Sequence, residues 1–210
     1  MTLFISVITF YCVDTSYYIS ESEKLNTKQV LKMSKEDLDQ VCVDLVDYLK
    51  GDLQDLNSKT YTIDGQVKNF YNDKEIAHMS DVKDLYQGVV LARNILAIVC
   101  LFALAYLIFK RDQNTAYLTA NTYQKVFLIM FGVFIIVIAY AFIDFNRFWI
   151  GFHRMFFTNE LWLLDPRTDL LINLMPEPFF FDIVFRIIVT EIVAFVLLYL
   201  LSVRVKKIHA

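Results

Sequence analysis

Three long apolar runs decide what this chain can fold into. Residues 91–109 carry Arg93 and Asn94 at their start and no charge after them, and residues 126–143 carry no charge at all. Residues 183–203 are apolar apart from Arg186, Thr190, Glu191 and Ser202. Each run approaches the roughly 20 helical residues that cross a hydrocarbon core of about 30 Å. The 210 residues are 57% hydrophobic, above the roughly 45–50% of a soluble domain, and the excess lies in these runs. They read as membrane helices.

The N-terminal stretch is shorter. Residues 2–13 are apolar and would give roughly 18 Å of helix. Carrying the helix through Asp14 to Ile19 gives roughly 27 Å with one acid near its end. No Lys or Arg precedes it, so it lacks the basic start of a signal peptide. It reads as a first span. The expected spans are residues 1–19, 89–109, 125–143 and 183–203.

Basic residues orient them. Lys110 and Arg111 follow the second span, Lys125 opens the third, and Arg204, Lys206 and Lys207 follow the fourth. The positive-inside rule puts these ends in the cytoplasm, with loop 110–124 and tail 204–210. Segments 20–88 and 144–182 then lie outside. The first holds 9 Lys against 14 acids, and the second 3 Arg against 6 acids. No basic face exists, which argues against nucleic-acid binding. Cys12, Cys42 and Cys100 are scattered and form no metal-ligand spacing, so they read as buried structural residues.

Segment 20–88 reads as an ordered cap. Ser34 and Asp37 resemble a capping box. Leu38, Val41, Leu45 and Leu49 then mark one apolar helix face, and Gly51 suits a C-cap. Two β-prone runs, 60–63 and 66–71, flank Asp64-Gly65, a strong hairpin signal. Asn72 or Asp73 can cap a further helix that carries His78 and runs into the second span. Asp81 and Val82 share the face of His78 on that helix, and Asp81 could orient the imidazole. An ordinary solvated role for Asp81 and Lys83 is the plainer alternative.

Segment 144–182 is crowded with aromatic rings: Phe145, Phe148, Trp149, Phe152, Phe156, Phe157, Trp162, Phe179, Phe180 and Phe181. An interfacial anchoring belt would explain aromatics alone. It would not require His153, Arg154, Asn159, Asp165 and Asp169 among them. That mixture suggests a pocket for an amphipathic molecule such as a lipid head with its glycerol. Pro166, Pro176 and Pro178 should break the loop into short pieces. Of three histidines, His78 and His153 both fall near the outer interface, and His209 lies in the basic tail.

At these residues the chain resembles the lipoprotein intramolecular transacylase family of bacterial membrane proteins. The matching pieces are Glu-x-x-His-Met-x-Asp-Val-Lys at 75–83, Phe-His-x-x-Phe-Phe at 152–157, Asn-x-x-Trp-x-Leu-Asp-Pro at 159–166, and Asp-x-Leu-Ile with a following Pro-x-x-Phe-Phe at 169–180. The short first helix is a departure that touches no motif. The resemblance implies a membrane all-α fold: four transmembrane helices with a small extracellular α+β cap, in the bacterial cytoplasmic membrane. It implies transfer of the sn-2 acyl chain of a diacylglyceryl-cysteine lipoprotein to the α-amino group of the same cysteine, giving the lyso form. The partners would be diacylated bacterial lipoproteins and membrane lipid. His78 and His153 would be catalytic. Asp81, Lys83, Phe152, Arg154, Phe156, Phe157, Asn159, Trp162, Asp165 and Asp169 would support them or bind substrate. No cofactor or metal is expected.

Two other readings stay open on the residues alone. His78, Asp81 and His153 with Asp165 or Asp169 could ligate zinc in a membrane hydrolase. The cap could instead be the binding module of a non-enzymatic sensor or scaffold.

Overall fold

The structure is a computed structural model that describes residues 2–110 and 113–208. Arg111 of the basic cluster and His209 of the tail lie outside the described residues. The elements are α1 (Thr2–Tyr11), α2 (Thr15–Lys24), α3 (Thr27–Leu31), α4 (Lys35–Lys50), β1 (Thr60–Ile63), β2 (Gln66–Asn69), α5 (Asp73–Lys110), α6 (Gln113–Ile143), α7 (Phe145–Phe156), α8 (Leu171–Leu174) and α9 (Glu177–Ile208).

Among the described residues three helices, α5, α6 and α9, are long and apolar enough to cross a membrane. Their apolar stretches leave large side chains bare, among them Phe102 and Phe109 on α5, Ile129 and Ile136 on α6, and Leu197 and Leu201 on α9. Apolar surface of that extent has no place in water. Helices α6 and α9 join through Phe127, which packs against Phe195 and Tyr199. Helix α1 packs on α5 and α9. Arg93 Nη1 donates to Thr9 Oγ1 (3.0 Å), and the Tyr11 and Thr190 hydroxyls share a hydrogen bond (2.9 Å). In these two pairs, polar groups between apolar helices satisfy one another, as a membrane favours.

The N-terminal stretch departs from the single helix expected through residue 19. It breaks after Tyr11, and α1 and α2 meet at a bend of 53°. The cause is Asp14, whose carboxylate accepts the backbone N–H of Ser16 (3.1 Å) and Tyr17 (3.4 Å) and so opens a new helix. Residues 110–124 also differ from a plain loop, since α6 begins at Gln113. Most of 144–182 is helical too. Asp144 caps α7 by accepting from Arg147 N (3.0 Å). Pro178 sits in the first turn of α9, where a missing N–H costs nothing.

A compact head forms from α2–α4, the hairpin, the start of α5, α8 and the start of α9. Ser34 Oγ accepts from Asp37 N (3.0 Å) at the start of α4, and Gly51 closes it at φ +93°, a conformation that favours glycine. Leu38, Val41, Leu45 and Leu49 all point into the head core. The strands pair antiparallel, Ile63 opposite Gln66, around Asp64-Gly65. Tyr17 donates its hydroxyl to Phe179 O (2.6 Å), which ties α2 to the start of α9.

Candidate active site

The start of α5 is held from two directions. Asn72 Oδ1 accepts from Glu75 N (3.0 Å), and Glu75 Oε2 accepts from Asn72 N (2.8 Å), a reciprocal cap. The other Glu75 oxygen accepts Leu171 N–H at 2.6 Å. Glu75 is only 1% exposed. Burial pushes its carboxyl up, and the backbone N–H bonds pull against that shift. Asn72 Nδ2 also donates to Asp169 Oδ1 (2.9 Å). These bonds pin the α5 turn that carries His78 to the segment leading into α8.

Asp169 is the hub of that segment. It accepts from Asp165 N (2.7 Å) and Thr168 Oγ1 (3.0 Å) as well. Burial pushes its carboxyl up, but these hydrogen bonds outweigh it and hold the group below its usual range. Asp165 is bound by Arg167 (2.6 Å). Both acids organise the turn, and neither is hydrogen-bonded to a histidine among the described residues.

Helix α7 brings the second histidine to the first. The rings of His78 and His153 lie 6.1 Å apart between centroids, tilted by 36°, and each residue is 7% exposed. His153 Nδ1 contacts Trp149 O at 2.8 Å. A carbonyl only accepts, so Nδ1 carries the proton and Nε2 keeps its lone pair. His78 Nδ1 is buried with no hydrogen-bond partner among the described residues. Burial, then the charge of His153, pushes His78 down to about 4, against an opposing pull from Asp81. Burial also pushes His153 down, partly offset by the Trp149 carbonyl. At neutral pH both rings are therefore uncharged and able to accept protons.

Aromatic rings wall the pair. Phe157 stands 5.4 Å from His78 and 5.7 Å from His153. Trp162 stacks on His153 at 4.9 Å, and Phe152 meets it edge-on at 5.6 Å. Phe156 packs on Phe152 (4.9 Å), one step from the histidines. Trp149 and Phe180 stack behind at 4.3 Å.

Other expected residues sit differently. Asp81 makes no hydrogen bond to His78 and instead accepts from Asn159 Nδ2 (2.8 Å). Lys83 turns to Leu53 O (3.3 Å) and lies over the Tyr48 ring, bracing the head. Arg154 is exposed and has no ion pair among the described residues. Among those residues no three His, Cys, Asp or Glu side chains gather as a metal site would need. In sequence, Trp149 counts only among the crowded aromatic rings and Glu75 only as the first residue of the 75–83 motif, with no site role for either. Their spacings, four before His153 and three before His78, place each one turn from its histidine.

Three apolar helices long enough to cross a membrane, topped by a small packed head, define an integral membrane protein, and two buried imidazoles meet at its head end. The sequence profile of the lipoprotein intramolecular transacylase Lit matches residues 1–180, and the chain belongs to that family. It is accordingly an acyltransferase of lipoprotein modification and a multi-pass membrane protein. The fold is similar to the in meso structure of the membrane integral lipoprotein intramolecular transacylase Lit from Bacillus cereus, with 19% identity, a TM-score of 0.73, and coverage of 98% of this chain and 89% of that one. A His-to-Ala mutant of the same Bacillus cereus protein aligns with 17% identity and a TM-score of 0.63, over 99% of this chain and 91% of that one. No curated protein sequence matches the chain.

Proposed function

We propose that this protein moves the sn-2 acyl chain of a diacylglyceryl-cysteine lipoprotein to the α-amino group of the same cysteine, with His78 and His153 as the acid–base pair. The observation that carries the reading is the meeting of two buried histidines from segments 75 residues apart in sequence, 6.1 Å between ring centroids. The reaction needs two proton movements and no nucleophile from the enzyme. A cysteine α-amine with a pKa near ~7.7–8.0 is partly neutral at neutral pH. Its nitrogen attacks the ester carbon and becomes positively charged in the tetrahedral intermediate. His153, whose Nε2 lone pair is free and whose basicity the Trp149 carbonyl supports, takes the nitrogen's proton. His78, 6.1 Å away between ring centroids, is assigned to the departing glycerol oxygen. The pair returns a proton to that oxygen as the C–O bond breaks, so the enzyme ends as it began. Most of the remaining barrier is positional, and a tight aromatic wall holds amine and ester together.

In this reading the acyl chain never rests on the enzyme. Cys12, Cys42 and Cys100 lie outside the histidine motifs, and Cys42 is buried in the head core. Two lipoproteins are mixed, one with labelled acyl chains. Label should appear only on the donor's own cysteine nitrogen by mass spectrometry. Label on the second lipoprotein, or a trapped acyl-enzyme, overturns the reading.

The same proposal has the bent pair α1 and α2 supplying a fourth span, and the head facing outward. The support is the basic set Lys110, Lys125, Arg204, Lys206 and Lys207, which borders the apolar stretches on the side away from the head. In a cysteine-free background, single cysteines at Ser58 and Thr168 should react with an impermeant thiol reagent on intact cells, and one at Thr115 should not. The reverse pattern sinks the orientation.

A further inference from the structure

The segment between α7 and α8 lays Phe157 and Trp162 against the histidine pair. Lys74 of α5 ties its far end through Leu163 O and Asp169, and a separate side-chain bridge ties its near end. Asn159 Nδ2 donates to Asp81 Oδ2 (2.8 Å), joining residues 78 apart in sequence. The Asn159 side-chain oxygen accepts Leu161 N–H (3.0 Å), and its backbone carbonyl accepts Trp162 Nε1–H (2.9 Å). The indole so held stacks on His153 at 4.9 Å, tilted by 28°. Asp81 stands one helical turn past His78. One asparagine therefore couples the helix that carries the first histidine to the ring that covers the second.

We infer that the Asp81–Asn159 bridge holds Trp162 as a wall that decides whether the acyl group passes to the amine or to water. The inference rests on the transacylation reading above. Two nucleophiles compete for the ester carbon. Amine attack forms a C–N bond and breaks the C–O bond to glycerol, and the nitrogen's proton ends on the glycerol oxygen. Water attack on the same carbon forms a new C–O bond, and releases a free fatty acid and the same glycerol hydroxyl. A ring basic enough to deprotonate the amine adduct also serves water. The base does not choose between them, so access does. An indole lying on the imidazole removes one approach for water, while the amine arrives with the bound lipid. Asp81 and Asn159 are positioning residues that act through Trp162.

The test measures free fatty acid against N-acyl-cysteine, with purified full-length protein and a diacyl lipoprotein in proteoliposomes. Asn159→Asp sets two carboxylates face to face. Loss of the bond that holds Trp162 in place should raise the fatty-acid share several-fold. Adding Asp81→Asn restores a carboxylate–amide pair in the reverse sense, and the share should return to that of the unaltered protein. A role in folding alone lowers both products together and leaves their ratio fixed. An unchanged ratio in Asn159→Asp, or no recovery in the swapped pair, overturns the inference. Should Asn159→Asp fail to accumulate, Asn159→Ala and Trp162→Ala carry the same expectation. Unaltered protein that yields fatty acid and no N-acyl product refutes the transacylation reading itself, a result distinct from a wall that makes no difference.

Discussion

His78→Ala and His153→Ala are each expected to cut the rate of N-acyl product formation by about 10² or more, the scale of one acid–base group in a proton-coupled step. The expectation rests on the pair's geometry. The two rings face one space, and His153 is the one whose tautomer is fixed, by the Trp149 carbonyl. The double variant should be little worse than either single one, because removing one partner already breaks the proton's route. The measurement is mass spectrometry of lipoprotein N-termini over time, with purified variants matched for amount. Full activity in His78→Ala would remove the histidine mechanism.

The second large effect is on stability. In the folded protein His78 is pushed from 6.5 down to about 4, first by burial and then by the charge of His153 on α7. Asp81 on its own helix pulls the other way, and Lys74 adds slightly to the fall. The unfolded chain therefore binds this proton across the interval where the folded protein does not. The contribution is fully present above about pH 6.5. It is lost as pH falls through that interval and levels off once the folded histidine also protonates near 4. A depression of this size corresponds to roughly 3 kcal/mol. Thermal unfolding in detergent from pH 7 to pH 4 should show this acid loss in the unaltered protein, and His78→Gln should lack most of it. Identical pH profiles would mean that His78 is not held neutral by its surroundings.

The parts of the fold that local chemistry controls were legible along the chain. Ser34, Asp37 and Gly51 bound α4 because caps and a left-handed glycine act within one turn. Asp64-Gly65 set the hairpin register because a two-residue turn leaves little choice. The apolar runs marked α5, α6 and α9, since length and hydropathy alone decide which helices can lie in lipid. The break at Asp14 was less legible. An acid near a helix end reads as tolerable in sequence, and only its capping of Ser16 and Tyr17 turns it into a bend.

The site divided in the same way. Sequence alone determined that two histidines fall in dense polar–aromatic motifs beside apolar spans, because residue type and nearness to a span are one-dimensional facts. It also fixed the family, through the order of those motifs. Tertiary structure alone decided which polar groups serve the histidines. Asp81 shares a helix face with His78, yet its carboxylate is taken by Asn159. Asp165 and Asp169, which read as site acids, spend their oxygens on Arg167, Asn72 and backbone N–H groups of the turn. Glu75 reaches Leu171, 96 residues on, and so sets where α5 meets the α8 segment. A carboxylate takes whichever donors the fold brings within about 3 Å. For partners from distant segments, that choice is made by packing and is not written in spacing.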